Sequence, residues 1–141
     1  AVIGFQRLNI AMRAEDAGDA ESVTLADLAD RTLITWSSDS HYATFLAAQG
    51  LRLGYEPKRV VSRFQGLDPV AAPLTEPGVY AMVATEPGSY LDGRVTVLTL
   101  ADPVSAPLQA LWLPCARGGY LGGLIDSWRS AGESGTADSF D

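Results

Sequence analysis

The stretch that decides the fold is Thr24-Leu25-Ala26-Asp27-Leu28-Ala29-Asp30-Arg31-Thr32-Leu33-Ile34-Thr35-Trp36. Thr24 can accept a hydrogen bond from the backbone N–H of Asp27, and the Asp27 carboxylate can reach back, which is the arrangement of a capping box. Leu25 and Leu28 then share one face of a single helical turn. The stretch therefore predicts a short capped turn that runs directly into a buried strand, Leu33–Trp36.

A polar loop, Ser37-Ser38-Asp39-Ser40, follows this strand and opens a helix predicted at His41–Leu51. Serine hydroxyls and free N–H groups at a helix N-terminus suit a carboxylate or a phosphate. Plain N-capping by Ser38 or Ser40 explains the same residues, and the sequence alone leaves both readings open. Open α/β sheets bind ligands where such a loop follows the carboxyl end of a strand.

Strands and helices alternate along the rest of the chain. Further strands are predicted at Phe5–Ala14, Lys58–Phe64, Val79–Ala84, Arg94–Leu100 and Pro107–Leu113. Further helices are predicted at Gly66–Thr75, which the interior Pro73 makes short, kinked or broken, and at Gly119–Ala131. Glu15–Glu21 is predicted as a solvated loop and Ser89–Gly93 as one loose helical turn. The alternation predicts an α/β fold with a mostly parallel open sheet flanked by helices.

The composition excludes several classes of function. A chain of 141 residues with 47% hydrophobic residues can form one domain or two small lobes. Its net charge of −7, with Lys58 as its single lysine, argues against direct contact with DNA, RNA or an anionic membrane. Cys115 is the single cysteine, so no intrachain disulfide can form, which fits a reducing cytoplasm. The start of the chain has no signal-peptide pattern, and we expect the sequence to be part of something longer.

Few residues carry the signature of a reaction centre. His41 is the single histidine, and Cys115 has no histidine or cysteine near it in the sequence, so we predict no metal site and no cofactor. A Cys115–His41 dyad is formally possible, but the two residues lie apart in the predicted sheet order. Asp27 and Asp30 are read as capping and surface charges and not as an acid–base pair.

The ordered set of motifs resembles the effector-binding domain of LysR-type transcriptional regulators, which has a type-II periplasmic-binding-protein fold. Five stretches carry the resemblance, in the right order over residues 5–131: Leu8–Arg13, Ser22–Ile34, Phe45–Pro57, Val70–Ala72 with Gly78–Val83 and Pro87, and Leu111–Leu113 with Leu121–Trp128. Two features depart from the family pattern. A family glycine is missing near Tyr80-Ala81, with Pro73 and Pro77 interrupting the preceding helix, and the helix-turn-helix and most of the first lobe are absent.

The resemblance implies a partial effector-binding domain over residues 1–132, comprising the second lobe with a return strand and helix, and a mobile acidic tail over residues 133–141. It implies a small, plausibly anionic effector at one edge of the sheet, where three loops should converge. The implied effector-binding residues are Thr35, Trp36, Ser37, Ser38, Gln65, Gly66, Leu67, Ala84 and Thr85. It also implies a cytoplasmic, non-catalytic protein that reaches DNA only through a domain outside this chain.

Two alternatives remain open from the residues alone. One is a small α/β enzyme that uses Cys115 or the serine-rich loop, and the other is a solute-binding protein of a transport system, which would need an export signal.

The apolar stripe of the last helix, which packs on the first lobe in the family, predicts a homodimer or higher oligomer through an exposed apolar patch.

Overall fold

The computed structural model describes residues 2–35, 54, 58–61 and 66–109, with helical positions 44, 45, 48, 122–124, 126, 127 and 130. The chain divides into two compact units, one of Ala1–Arg7 with Ser105–Asp141 and the other of Leu8–Val104. The predicted helices at 41–51 and 119–131 are helical at their described positions. The remaining residues of both helices, and the predicted tail 133–141, lie outside the described residues.

The larger unit is built on a seven-stranded sheet, counted over the described residues. Its strands are β2 (Asn9–Arg13), β3 (Ser22–Val23), β4 (Thr32–Thr35), β5 (Lys58–Val61), β6 (Val79–Val83), β7 (Gly88–Tyr90) and β8 (Val95–Leu100). They lie in the order β3-β8-β2-β6-β4-β5, with β7 also paired to β8. The connections include a helical turn, α1 (Ala14–Ala17), and two 3₁₀ turns, Ala26–Leu28 and Ala72–Leu74.

The predicted α/β class with a multi-stranded sheet is confirmed, and the sheet is mixed in direction. β4 runs parallel to β5 and to β6, and β3 runs parallel to β8. β2 runs antiparallel to both β6 and β8, and β7 antiparallel to β8. Two of the antiparallel pairs arise because β2 begins at the side of the sheet where β6 ends and runs in the opposite direction. The third arises because a hairpin turn joins β7 to β8.

Both faces of the sheet are buried, which fits its continuous apolar strands. One face carries a cluster in which Ala11, Ile34 and Val97 pack with Val70 and Ala72 of the connection that crosses it. Alternate residues of the same strands face the other way; they include Ile10, Met12, Leu33, Tyr80 and Leu98, all buried. The core therefore consists of two apolar layers with the sheet between them.

The smaller unit contains a two-stranded antiparallel ribbon of β1 (Val2–Arg7) and β9 (Ser105–Gln109). Phe5 pairs with Pro107 and Gly4 with Leu108, and the register shifts between Val2 and Gly4. The single strand predicted over Phe5–Ala14 is therefore two strands in two different units. The change occurs at Leu8, which is buried and donates its backbone N–H to the Val104 carbonyl at 2.9 Å.

Two local predictions are wrong. The stretch Ser89–Gly93, predicted as a loose helical turn, contains the end of strand β7 and the start of a hairpin turn. The acidic stretch predicted as a loop begins inside α1, which Ala17 anchors by burying its side chain. The helix predicted at Gly66–Thr75 is reduced, as expected, to the 3₁₀ turn Ala72–Leu74.

Candidate functional site

The carboxyl ends of β4, β5 and β6 meet at one edge of the sheet. Because these strands are parallel and in register, with Thr35 opposite Val61 and Leu33 opposite Tyr80, their connections leave from the same side. We call this side the carboxyl edge. The chain passes from β4 to β5 on one side and then returns to β6 on the other, so the strand order reverses at β4. Open α/β sheets bind ligands at such a switch point, outside the carboxyl ends of the strands.

Thr35 ends β4 at this switch point and is only 3% exposed. Its side-chain oxygen Oγ1 is buried, and it has no hydrogen-bond partner among the residues that the structure describes. A buried hydroxyl without a partner costs about 1–3 kcal/mol relative to a satisfied one. Such groups are few in folded proteins and call for an explanation. A ligand oxygen or nitrogen at the carboxyl edge would provide the missing partner.

Asn9 is a second buried polar residue at the same edge, which the sequence reasoning missed. It begins β2 opposite Val83, the last residue of β6, and is 7% exposed. Its side-chain Nδ2 donates to the backbone carbonyl of Thr85 at 2.9 Å. The bond fixes the loop that follows β6. The available signal was a polar residue at the first position of an otherwise apolar strand.

Five of the nine predicted site residues, Thr35, Gly66, Leu67, Ala84 and Thr85, lie in the described part of the chain. Ala84 is exposed and Thr85 half-buried, directly after β6. In the connection after β5, Gly66 is exposed with a φ of 76°, and half-buried Leu67 packs against the apolar cluster of the adjacent sheet face. The four remaining predicted site residues, Trp36, Ser37, Ser38 and Gln65, lie outside the described residues, as do His41 and Cys115.

The capped turn before β4 has the predicted geometry. The backbone N–H and the hydroxyl of Thr24 donate to Asp27 Oδ2 at 2.8 and 2.7 Å, and Asp27 N–H donates back to Thr24 Oγ1 at 3.3 Å. These bonds from Thr24 hold the pKa of the Asp27 carboxyl below its usual 3.8. One anchor was not foreseen, since Asp102 Oδ2 accepts the backbone N–H of Leu25 at 2.6 Å.

Two further observations concern the described part of the chain only. No group of three or more His, Cys, Asp or Glu side chains there could hold a metal ion. No helix in the same part has both the length and the apolar character needed to cross a membrane.

Comparisons with known proteins identify the fold. No protein-family model matches the sequence, and no curated protein matches it significantly. Among solved structures, CbnR, a LysR family transcriptional regulator, superposes with a TM-score of 0.69 at 15% identity, covering 94% of this chain and 47% of CbnR. HinK, a LysR family transcriptional regulator from Pseudomonas aeruginosa, gives 0.62 at 21% identity, over 92% of this chain and 47% of HinK. The chain thus spans about half the length of these regulators.

Isolated effector-binding domains match as well. That of QuiR, in complex with shikimate, superposes with a TM-score of 0.61 at 14% identity, over 99% of this chain and 66% of that domain. That of BenM, with its effector benzoate, gives 0.53 at 16% identity, over 92% of this chain and 64% of that domain. The chain therefore has the periplasmic-binding-protein-like fold of the effector-binding domains of LysR-type regulators.

Proposed function

We propose that this chain is a ligand-sensing part of a LysR-type transcriptional regulator and that it does not act as an enzyme. The effector, a small carboxylate, is bound at the carboxyl edge of the larger unit. The observation that carries the proposal is the buried hydroxyl of Thr35 at the switch point of the sheet, which has no partner within the described part of the chain. The fold supports it, because QuiR and BenM domains of the same fold are known with shikimate and benzoate.

Each proposed contact has its own role. The Thr35 hydroxyl donates to the effector carboxylate, and we propose Trp36, Ser37 and Ser38 as further effector contacts. Gly66 and Leu67 belong to the connection after β5, and we propose them, with Gln65, as effector contacts. Ala84 and Thr85 form the loop after β6, which Asn9 holds in place through the Thr85 carbonyl.

Effector binding acts on regulation by shifting a population. A ligand shifts an equilibrium only by its differential affinity for the two states, commonly about 1–3 kcal/mol. The net charge of −7 disfavours contact between these residues and DNA, so we assign DNA binding to a domain outside this chain. A cytoplasmic location follows from that assignment.

Self-association is part of the proposal. Val2, Phe5 and Leu108 lie on the β1–β9 ribbon of the smaller unit and are 41%, 54% and 42% exposed. Exposed apolar side chains favour association, and we propose a homodimer. Sedimentation of the 141-residue chain should give a dimer, and Phe5→Ser should shift it towards monomer. A clean monomer for the unaltered chain contradicts this part of the proposal.

The decisive test substitutes the unpartnered hydroxyl. Thr35→Val keeps the shape of the side chain and removes the oxygen, so it should leave the free energy of unfolding unchanged or raise it by about 1 kcal/mol. The same variant should bind the effector about tenfold more weakly, because a hydrogen bond to a charged group is lost. Calorimetry against a panel of small carboxylic acids that includes shikimate and benzoate measures the affinity, and urea unfolding measures the stability.

Thr32→Val is the matched control, since Thr32 begins the same strand at the opposite edge. It should bind the effector like the unaltered chain. The proposal fails if no acid of the panel binds, if Thr35→Val binds as well as the unaltered chain, or if Thr32→Val weakens binding equally.

A further inference from the structure

A cavity lies at the opposite edge of the sheet from the candidate effector site. It has a volume of about 350 Å³ and is lined by Arg13, Ala14, Glu15, Leu74, Gly93 and Arg94. Arg13 ends β2, whose first residue, Asn9, is at the carboxyl edge, and Arg94 immediately precedes β8. The backbone N–H of Ala14 donates to the Arg94 carbonyl at 3.0 Å and joins the two walls. All six lining residues belong to the larger unit.

Arg13 brings a largely buried cation to this cavity. Its Nε donates to the Pro73 carbonyl at 3.0 Å and its Nη2 to the Leu74 carbonyl at 3.2 Å, which fixes the guanidinium plane. Its Nη1 contacts Glu15 Oε1 at 3.3 Å. The Arg13 side chain is 24% exposed, whereas that of Glu15 is 74% exposed. An ion pair with so exposed a carboxylate is worth about 0–1 kcal/mol, so Glu15 can be displaced at little cost.

Arg94 brings a second cation, held by a tight turn. Asp92 and Gly93 have φ values of 57° and 79°, the positive values expected at the two central positions of a type I′ turn. The Leu91 carbonyl accepts both the backbone N–H of Arg94 at 3.2 Å and its Nε at 3.1 Å. Within the described part of the chain, the two terminal nitrogens of Arg94 have no hydrogen-bond partner.

The turn also carries backbone strain. Leu91 has a φ of 53°, which for a non-glycine residue costs about 1–3 kcal/mol and is concentrated at functional positions. Leu91 is 40% exposed, so core packing does not explain the conformation. The strained residue is the one whose carbonyl orients the Arg94 side chain.

We propose that this cavity binds a phosphate group, carried by a small phosphorylated molecule or free in solution. Two guanidinium groups match the charge of a phosphate dianion once the Glu15 carboxylate is displaced, and arginine is well suited to phosphate oxygens. The volume lies at the lower end of the range for small-molecule sites, which are about 300–1,000 Å³. Since Arg13 holds the carbonyls of Pro73 and Leu74, bound phosphate strengthens the anchor of the connection that begins at the candidate effector site.

The test is calorimetric titration of the 141-residue chain with inorganic phosphate and, separately, methyl phosphate, at constant ionic strength set with sodium chloride. Arg94→Gln should weaken phosphate binding about tenfold, the usual loss for a hydrogen bond between charged groups. Lys58→Gln removes one positive charge from an exposed position on β5 and should change affinity less than about twofold. Tighter binding of methyl phosphate identifies a phosphorylated molecule as the ligand, and tighter binding of inorganic phosphate identifies the free ion.

A change of the opposite sign gives an independent check. Glu15→Gln removes the competing carboxylate and should tighten phosphate binding several-fold, whereas Glu21→Gln, at another exposed acidic position, should not. The proposal is overturned if the unaltered chain does not bind either phosphate, if Arg94→Gln and Lys58→Gln weaken binding equally, or if Glu15→Gln and Glu21→Gln behave alike. Failure here leaves the proposed effector site untouched, because Arg94 and Glu15 take no part in it.

Discussion

Two short connections cover opposite faces of the same sheet, and they differ in how firmly they are held. The first connection (residues 24–31) joins β3 to β4, and its Leu28 lines a small cavity with Met12 and Leu98 on one face. The second connection (residues 66–74) leads towards β6, and its Val70 and Ala72 pack into the cluster on the other face. Each contains one 3₁₀ turn and an aspartate that accepts a nearby backbone N–H.

The first connection is anchored at both ends. Asp102, from the far end of β8, accepts the N–H of Leu25 at its start. At its end, Arg31 contacts Asp16 Oδ1 at 3.2 Å and donates to the Asp16 carbonyl at 3.0 Å. One anchor comes from the residues after β8 and the other from α1, so the turn is fixed against the larger unit before β4 begins.

The second connection is anchored at one end only, as far as the described residues go. Arg13 holds the carbonyls of Pro73 and Leu74 at its finish. At its start, Gly66 is exposed, and Asp68 bonds only within the connection among the described residues, to the N–H groups of Val70, Ala71 and Ala72. The less constrained end belongs to the loop proposed to contact the effector, which is where a ligand-responsive element is expected.

Truncating one leucine in each connection should give the largest difference between the two in free energy of unfolding. Leu28 is fully buried, so Leu28→Ala should lower the free energy of unfolding by about 2–5 kcal/mol. Leu74 is only half-buried, and Leu74→Ala should lower it by about 1–2 kcal/mol. Urea unfolding of both variants measures the two losses, and equal losses would contradict the comparison.

The sequence predicted the first connection almost atom by atom because its signals are local. A capping box needs two side chains three residues apart, and the packing of Leu25 and Leu28 follows from a helical repeat. The anchor from Asp102 could not be predicted in this way. This hydrogen bond joins residues 77 positions apart, and no pattern near Asp102 in the sequence indicates that it anchors the turn before β4.

The second connection and the hairpin show the opposite limit. Pro73 predicted a broken helix correctly, since a proline inside a helix removes a hydrogen bond and clashes with the preceding turn. The Asp92-Gly93 pair was a strong hairpin signal that the interpretation of Ser89–Gly93 as a helical turn overlooked. The strand residues of the site were predictable from hydrophobic runs, whereas the unpartnered state of Thr35 depends on the tertiary surroundings.

Removing Asp102, which anchors the first connection, or Asp68, which lies in the second, should give the second largest difference in stability. Asp102→Ala leaves the backbone N–H of the buried Leu25 without its acceptor and should lower the free energy of unfolding by about 1–3 kcal/mol. Asp68→Ala removes a bond within the exposed start of the second connection, with an expected loss of about 0.5–1 kcal/mol. Urea midpoints at neutral pH measure both, and a larger loss for Asp68→Ala would reverse the assignment of the firmer connection.

Effector binding should slow amide hydrogen exchange more in the second connection than in the first. An effector at about ten times its Kd stabilises the bound state by about 1.4 kcal/mol, or tenfold in an exchange rate that depends on opening of the site. We expect amide exchange to slow about tenfold at residues 66–72 when the effector is bound. Exchange at residues 24–31 should slow little, because these residues are anchored without ligand. Exchange measured by NMR with and without the acid tests this, and equal slowing in both connections would show that the first also responds.

The smallest effect concerns the pH dependence of the capping box in the first connection. Hydrogen bonds from Thr24 hold the pKa of Asp27 below its usual 3.8, so the charged carboxylate is favoured by the fold. The resulting stability is complete above pH 3.8, the unfolded value, and is lost as the pH falls through the lower folded value. Asp27→Asn cannot ionise, so the stability gap between it and the unaltered chain should narrow on acidification from pH 5 towards the acid limit of folding.

Urea midpoints measured across this range test the sign of the effect, with Asp30→Asn as the control for loss of an exposed carboxylate from the same connection. Because every other titrating group is common to the two chains, the change in the gap reports on Asp27. A gap that stays constant or widens on acidification would show that the Thr24 bonds do not stabilise the folded chain through the charged carboxylate. The stability of the first connection would then come from its Asp102 and Arg31 anchors and not from the capping box. The two connections would differ only in these anchors to the rest of the larger unit.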